Sequence, residues 1–369
     1  MNQREVHALP KEKLIEIAEM YGVEIADFGP VEGGYRNVSH SFTGTDGKFY
    51  NFILYKHETG IVELIERTNA LGTYVATNNV PVRVPVDARI LQVGRRYGSL
   101  YGYLGGETIP WEAYSMKHIK LLGYAMAKFH TAGENYRSPA LPDVETVYAD
   151  IANRMGDYFA QADVQKALTE KLNVSVLFPE FQHLLNSMKQ LSGRIPLHMD
   201  LVRSNVLFRE AQDSDTLAIE HLALSGILDL EKAAMGHPLF DIARTLAFLL
   251  VDCAKPEEKI RKYFLDSGYW KRGQRDVYGG TLSRVSLSDS LGVNGRSVLP
   301  RSAGKAEPSR ATQASVSGSE LLEQLITLFL TYDLYKFLKQ NPYESLSKNH
   351  HFKRTIDILL ARKVVQYSN

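Results

Sequence analysis

Leu197-His198-Met199-Asp200-Leu201-Val202-Arg203-Ser204-Asn205-Val206-Leu207 is the stretch on which the reading of this chain turns. Its centre has the form H-x-D-L-x-x-x-N, one carboxylate five residues ahead of one carboxamide. Asp200 has the chemistry to hold an acceptor hydroxyl and take up its proton, while Asn205 offers a neutral oxygen to a divalent cation. Gly226-Ile227-Leu228-Asp229-Leu230-Glu231 supplies a second acid. The apolar run into Asp229 predicts a strand that ends in that acid and points it at the same site. Taken singly, Asp and Asn are common turn residues. Taken together, the two segments predict a base and a divalent-metal clamp. Phosphoryl transfer asks for little more, because its transition state is loose and its charge lies on oxygens. Magnesium is content with one carboxylate, one carboxamide and phosphate oxygens.

The bulk properties agree with such a site and exclude others. A chain of 369 residues suits two lobes better than one. A formal net charge of +1 points to no polyanionic partner, so no nucleic acid is expected. The single cysteine, Cys253, lies in the apolar run Phe248-Leu249-Leu250-Val251-Asp252-Cys253 and reads as a core thiol; no disulfide can form within the chain. Met1-Asn2-Gln3-Arg4-Glu5-Val6 lacks the basic-then-apolar pattern of a secretory leader. No apolar run is long enough to span a bilayer. The expectation is a soluble, cytoplasmic protein with no membrane partner.

Periodicity predicts a strand-rich beginning and a helical remainder. Leu14, Ile17, Ala18 and Tyr21 recur at helical spacing, and Gly22 supplies a stop. Three strands follow, around Ile25–Val31, Val38–Phe42 and Phe49–Tyr55, with a glycine pair at the first turn and Asp46-Gly47 at the second. Residues 59–78 read as a helix, and two more strands run near 88–93 and 99–104. Gly105-Gly106-Glu107-Thr108-Ile109-Pro110 breaks the pattern and marks a hinge. Everything from there to residue 195 reads as helical: 116–130, 143–158, 162–172 and 178–190. Short strands then flank Asp200 and lead to Asp229, and Pro238 and Pro256 open further helices. Residues 271–318 are rich in Gly, Ser and Arg and poor in large apolar side chains. Such composition predicts a loosely ordered insertion. Ser317 with Glu320 forms a capping-box pattern at the start of an amphipathic helix, and a last helix is expected over 351–365.

The order of these features, closing with Gly236-His237-Pro238-Leu239-Phe240-Asp241-Ile242-Ala243, resembles the aminoglycoside phosphotransferase and choline/homoserine kinase superfamily. Gly102-Tyr103-Leu104-Gly105-Gly106 and Phe129-His130-Thr131-Ala132-Gly133 are similar to homoserine kinases of that type. The resemblance covers most of the chain outside 271–318. It implies an α+β, two-lobed protein-kinase-like fold: an antiparallel-sheet nucleotide-binding lobe over 1–107 and a mainly helical catalytic lobe over 108–369. It implies ATP, Mg2+ and a small hydroxylated acceptor such as homoserine, an amino alcohol or an aminoglycoside. Asp200 would be the base, Asn205 and Asp229 the metal ligands, and Asp241 a brace for the loop. Gly33, Gly34, Asn37, Lys56, Tyr103 and Leu104 would bind the nucleotide. Asp333 and Glu344 are the acids available to a polycationic acceptor.

The chain departs from that pattern in its third strand. Asn51-Phe52-Ile53-Leu54-Tyr55-Lys56 places Ile53 where a phosphate-binding base is usual. Lys56 is the nearest basic substitute, with Glu63 or Glu66 as its partner on the following helix. Protein kinases proper fit less well, because Met199 stands in place of Arg and Leu230-Glu231 follows the metal acid in place of Phe-Gly. The missing base motivates a rival reading, a non-catalytic nucleotide-binding or scaffold protein of the same fold.

Overall fold

A computed structural model describes residues 8–33, 37–138, 140–270, 317–346 and 348–368. These fall into two compact units, Met1–Val147 with Arg194–Arg272, and Tyr148–Gly193 with Gly273–Asn369.

The first unit begins with helix α1 (Lys11–Met20), then strands β1 (Ile25–Gly33), β2 (Val38–Gly44) and β3 (Phe49–Leu54). Helix α2 (Ile61–Ala76) and strands β4 (Leu91–Val93) and β5 (Arg96–Gly102) follow. The sheet is antiparallel throughout, in the order β1-β2-β3-β5-β4. Strand alternation divides its side chains cleanly. Phe52 and Leu54 join Leu14 and Ile17 of α1 on one face. Ile53 and Tyr55 join Leu64 and Ile65 of α2 on the other. The third strand therefore turns apolar and phenolic side chains, and no base, toward α2.

After β5 come helices α3 (Met116–Gly133) and α4 (Val144–Phe159), the second of which runs on into the other unit. Ser115 caps α3 by accepting from the His118 N–H, while the His118 ring accepts from the Ser115 N–H. In the second unit α5 (Ala162–Leu172), strand β6 (Val174–Val176) and α6 (Gln182–Lys189) follow. The chain then returns to the first unit with β7 (Ile195–Leu197), β8 (Val206–Glu210), β9 (Ala218–Ile219), β10 (Leu222–Ile227) and β11 (Ala234–Gly236). Helices α7 (Leu239–Asp252) and α8 (Glu257–Arg261) complete it, with a π-helical stretch, Lys262–Tyr269. That stretch lies backbone against backbone on α3: a Cβ on Gly123 would stand 2.2 Å from the Phe264 carbonyl oxygen.

The second unit ends in α9 (Gly318–Gln340), α10 (Tyr343–Leu346), α11 (His350–Ala361) and β12 (Val365–Tyr367). Tyr148 meets Phe329 edge-on at 5.1 Å, and Arg362 pairs with Glu323. Asp333 is ion-paired with Lys336, and Glu344 with Lys171. Among the described residues, no helix is long and apolar enough to cross a membrane.

Three sequence expectations are corrected. The segment before residue 195 is not wholly helical, because β6 pairs antiparallel with β12. The last helix stops at Ala361, and the residues after it form that partner strand. The expected insertion over 271–318 overlaps α9, whose N-cap is Ser317, accepting from the Glu320 N–H as the capping pattern predicts. Residues 271–316 lie outside the described residues.

Candidate active site

Strand β7 leads into the H-x-D segment and is held by β11, with Leu197 opposite Ala234. Met199 then takes a left-handed backbone, φ 61°, a conformation that costs a non-glycine residue about 1–3 kcal/mol unless its surroundings enforce it. The enforcing group is Asp241, in the first turn of α7 and almost fully buried. Its Oδ2 accepts the His198 N–H at 2.7 Å and its Oδ1 the Met199 N–H at 2.6 Å. His130 Nε2 lies 2.9 Å from Oδ2, and His130 Nδ1 is 2.7 Å from the Tyr269 hydroxyl. Burial by itself would raise the Asp241 carboxyl. The His130 hydrogen bond and the His198 N–H hold it below the usual carboxylate range instead.

The same turn joins the two acidic segments. His198 Nδ1 accepts the Asp200 N–H at 3.2 Å, which leaves Nε2 to donate to the Leu228 carbonyl at 3.0 Å. The Leu228 N–H donates back to the Asn205 carbonyl at 2.8 Å. His198 thus ties loop to loop and moves no proton in this arrangement. A short 3-10 turn, Arg203–Asn205, brings the carboxamide back onto Asp200. Asn205 Nδ2 donates to the Asp200 carbonyl at 2.9 Å and to its Oδ2 at 3.2 Å. Lys232 Nζ stands 2.8 Å from the same Oδ2.

Asp229 does not end a strand. β10 stops at Ile227, and Asp229 sits beyond it with φ 57°, its Oδ1 accepting the Glu231 N–H at 3.1 Å. The tight turn folds the Glu231 N–H back onto the Asp229 carboxylate, which an extended strand end could not do.

The donor set fits a hard divalent cation. With Asn205 Nδ2 committed to Asp200, its Oδ1 has, among the described residues, only a long 3.4 Å contact from the Ser204 hydroxyl. One amide oxygen and one carboxylate are what magnesium takes when phosphate oxygens complete its shell. No cluster of three or more His, Cys, Asp or Glu with metal-binding geometry occurs among the described residues.

In the first strands the expected nucleotide residues are dispersed. Gly33 closes β1 opposite Val38, and Gly34 lies outside the described residues. Asn37 bridges: its Oδ1 accepts the Lys56 N–H at 3.1 Å and its Nδ2 donates to Glu231 Oε1. The Lys56 side chain is exposed, as are Glu63 and Glu66. Tyr103 is half exposed, with its N–H on the Phe49 carbonyl at 3.0 Å, and Leu104 faces Gly226. A small polar cavity lies between Tyr55, Asn69, Arg83, Tyr101, Asp229 and Glu231.

Sequence reading missed His130, Lys232 and Arg83. Lys232 stands three residues past Asp229 on one loop, a signal that spacing offered. His130 lies 111 residues from Asp241, and only the fold joins them.

His237, which opens the α7 turn, gives this region an acid limit. Burial, with the positive charges of His130 and Arg194, lowers its pKa from 6.5 to about 4. Its Nδ1 accepts the Leu239 N–H at 3.3 Å, which requires the neutral ring. The unfolded chain takes up this proton first. The stabilisation is therefore complete above pH 6.5 and is lost as pH falls from there to about 4. The loss amounts to roughly 3 kcal/mol from this group. Urea midpoints at pH 7.5, 5.5 and 4.5 should fall less steeply for His237→Gln than for wild type; parallel slopes would remove the assignment.

Comparison with known proteins accords with this geometry. The family model described as "Phosphotransferase enzyme family" matches residues 27–273. No curated protein sequence matches. Among solved structures, the amicoumacin kinase hAmiN in complex with AMP-PNP, Ca2+ and Ami superposes with a TM-score of 0.58 at 13% identity, covering 95% of this chain and 94% of that one. The microcompartment-associated aminopropanol kinase gives 0.55 at 12%, over 96% and 99%. The GDP and kanamycin complex of APH(2")-IIia gives 0.54 at 14%, over 96% and 98%. At such identities these likenesses establish the fold, which is protein-kinase-like and α+β. Because the family model spans well over half of its length, the chain belongs to the phosphotransferase enzyme family.

Proposed function

We propose that the donor is ATP with Mg2+ and that the acceptor is a small hydroxylated molecule of the homoserine, amino-alcohol or aminoglycoside kind. The observation that supports this best is the doubled Asn205 contact to Asp200, on carbonyl and carboxylate, which holds a base and a cation ligand in one turn. Asp200 receives the proton of the acceptor hydroxyl. Asn205 and Asp229 would hold the magnesium, which when bound neutralises charge on the phosphate oxygens. Lys232 orients the base. With its side chain 57% exposed the pair contributes under about 1 kcal/mol to stability, so its use is geometric. In this reading 1–107 holds the nucleotide: Gly33 and Asn37 lie toward its phosphates, and Tyr103 and Leu104 beside its base. Residues 108–369 carry the chemistry. AMP-PNP and GDP in the solved relatives favour a nucleotide donor.

The test is thermal-shift binding of ATP with and without magnesium, followed by turnover against amino alcohols, hydroxy amino acids and aminoglycosides. Magnesium should strengthen binding, and one acceptor class should be phosphorylated. Asp229→Ala should weaken magnesium-dependent binding by about tenfold or more, the loss of one charged contact. A magnesium titration unchanged by that substitution removes Asp229 from the cation site. Binding of ATP with no turnover on any acceptor supports the rival, non-catalytic reading.

A further inference from the structure

The third strand supplies no cation to a triphosphate. Ile53 and Tyr55 are buried against α2, and Lys56 lies past the strand with its side chain in solvent. Glu63 and Glu66, the acids that would pair with a strand base, face water as well. A neutral relay occupies the place. The Tyr101 hydroxyl donates to Asn69 Oδ1 at 2.8 Å and so accepts from the Tyr55 hydroxyl at 2.7 Å. Burial raises both phenols above their ordinary range and keeps them uncharged.

A positive charge reaches this cavity by another route. Arg83 follows α2 in the extended segment Val80-Pro81-Val82-Arg83-Val84-Pro85. That segment is locked to the strand leading to Asp229: the Ile227 N–H donates to the Pro81 carbonyl at 2.7 Å and the Arg83 N–H to the Ile227 carbonyl at 3.2 Å. The two flanking prolines stiffen it further. The guanidinium carbon lies 5.0 Å from the centroid of the Tyr101 ring, and the side chain lines the cavity with Asp229 and Glu231. Among the described residues the guanidinium makes no hydrogen bond or ion pair. Five donors are therefore held ready, on a fixed backbone, beside a carboxylate of the cation site. A guanidinium matches phosphate oxygens two at a time and is more weakly hydrated than an ammonium, which suits a recessed position.

We propose that Arg83, reaching in from the segment after α2, is the cation that binds the α- and β-phosphates of the nucleotide in place of the missing strand base. This rests on the nucleotide-dependent reading above. Titration calorimetry of Mg·ATP and of adenosine against wild type, Arg83→Ala, Arg83→Gln and Arg83→Lys decides it. Arg83→Ala and Arg83→Gln should weaken Mg·ATP by about tenfold to a hundredfold, as expected for lost hydrogen bonds to a charged group. Adenosine, which lacks phosphates, should bind all four proteins alike, and Arg83→Lys should recover part of the loss. Arg83→Gln keeps the stem and a donor, so a sample of it with the wild-type melting temperature settles the matter if Arg83→Ala does not fold. Unchanged Mg·ATP affinity, or equal losses for adenosine and Mg·ATP, overturns the assignment and leaves the phosphotransferase reading standing. Failure of wild type to bind Mg·ATP overturns both.

Discussion

Asp200→Asn should lower turnover by about 10²–10⁴-fold, the usual worth of a positioned base, while folding and nucleotide binding stay close to wild type. The substitution keeps the size and shape of the side chain. The backbone bonds of residue 200, its N–H to His198 and its carbonyl from Asn205, are untouched. The carboxamide oxygen can still accept from Asn205 Nδ2 in place of Oδ2. Lys232 loses a charged partner, but its side chain is 57% exposed and water replaces the pair at little cost. Only the capacity to take a proton disappears. Single-turnover rates with the best acceptor, set against ATP affinity from calorimetry, separate the two quantities. A pure Asp200→Asn sample with near wild-type turnover ends the base assignment. A sample that loses ATP affinity in proportion to turnover places Asp200 in binding rather than proton transfer.

Much of the fold was legible because its signals are local. Alternation along Phe49–Leu54 predicts which side chains face α2, and Phe52 and Ile53 divide between the two faces accordingly. Gly22 and Gly47 adopt the left-handed backbones that their positions as a helix stop and a turn require. The Asp200–Asn205 pairing is local too, since a short turn closes a five-residue gap. What stayed hidden depends on residues far apart in the chain. β6 and β12 are three-residue strands that exist only because each supplies the other's hydrogen bonds. Asp229 was misread as a strand end, since its left-handed φ follows from a turn that an apolar approach does not announce. Arg83 reads in sequence as one more surface base between prolines. Its place beside Asp229 comes from the backbone bonds of Pro81 and Arg83 to Ile227.

Asp241→Asn separates two accounts of one residue by magnitude. If the acid served only the dipole of α7, its loss would cost about 0.3–1 kcal/mol and would leave the loop alone. The observed contacts require more. One carboxylate accepts from two backbone N–H groups and a histidine in a fully buried setting. A carboxamide has a single acceptor oxygen. With that oxygen toward either N–H group, its own NH2 is aimed at the other donor, so one buried donor goes unpaired and two donors are pressed together. Breaking such a buried, charge-assisted set costs about 3–5 kcal/mol. The left-handed turn at Met199 loses what enforces it, and Asp200, the next residue, is released with it. The expected result is a markedly lower denaturation midpoint, faster hydrogen exchange at the His198 and Met199 amides, and reduced turnover in whatever fraction remains folded. A loss of stability below about 1 kcal/mol with unchanged Met199 protection would return Asp241 to the helix-dipole account.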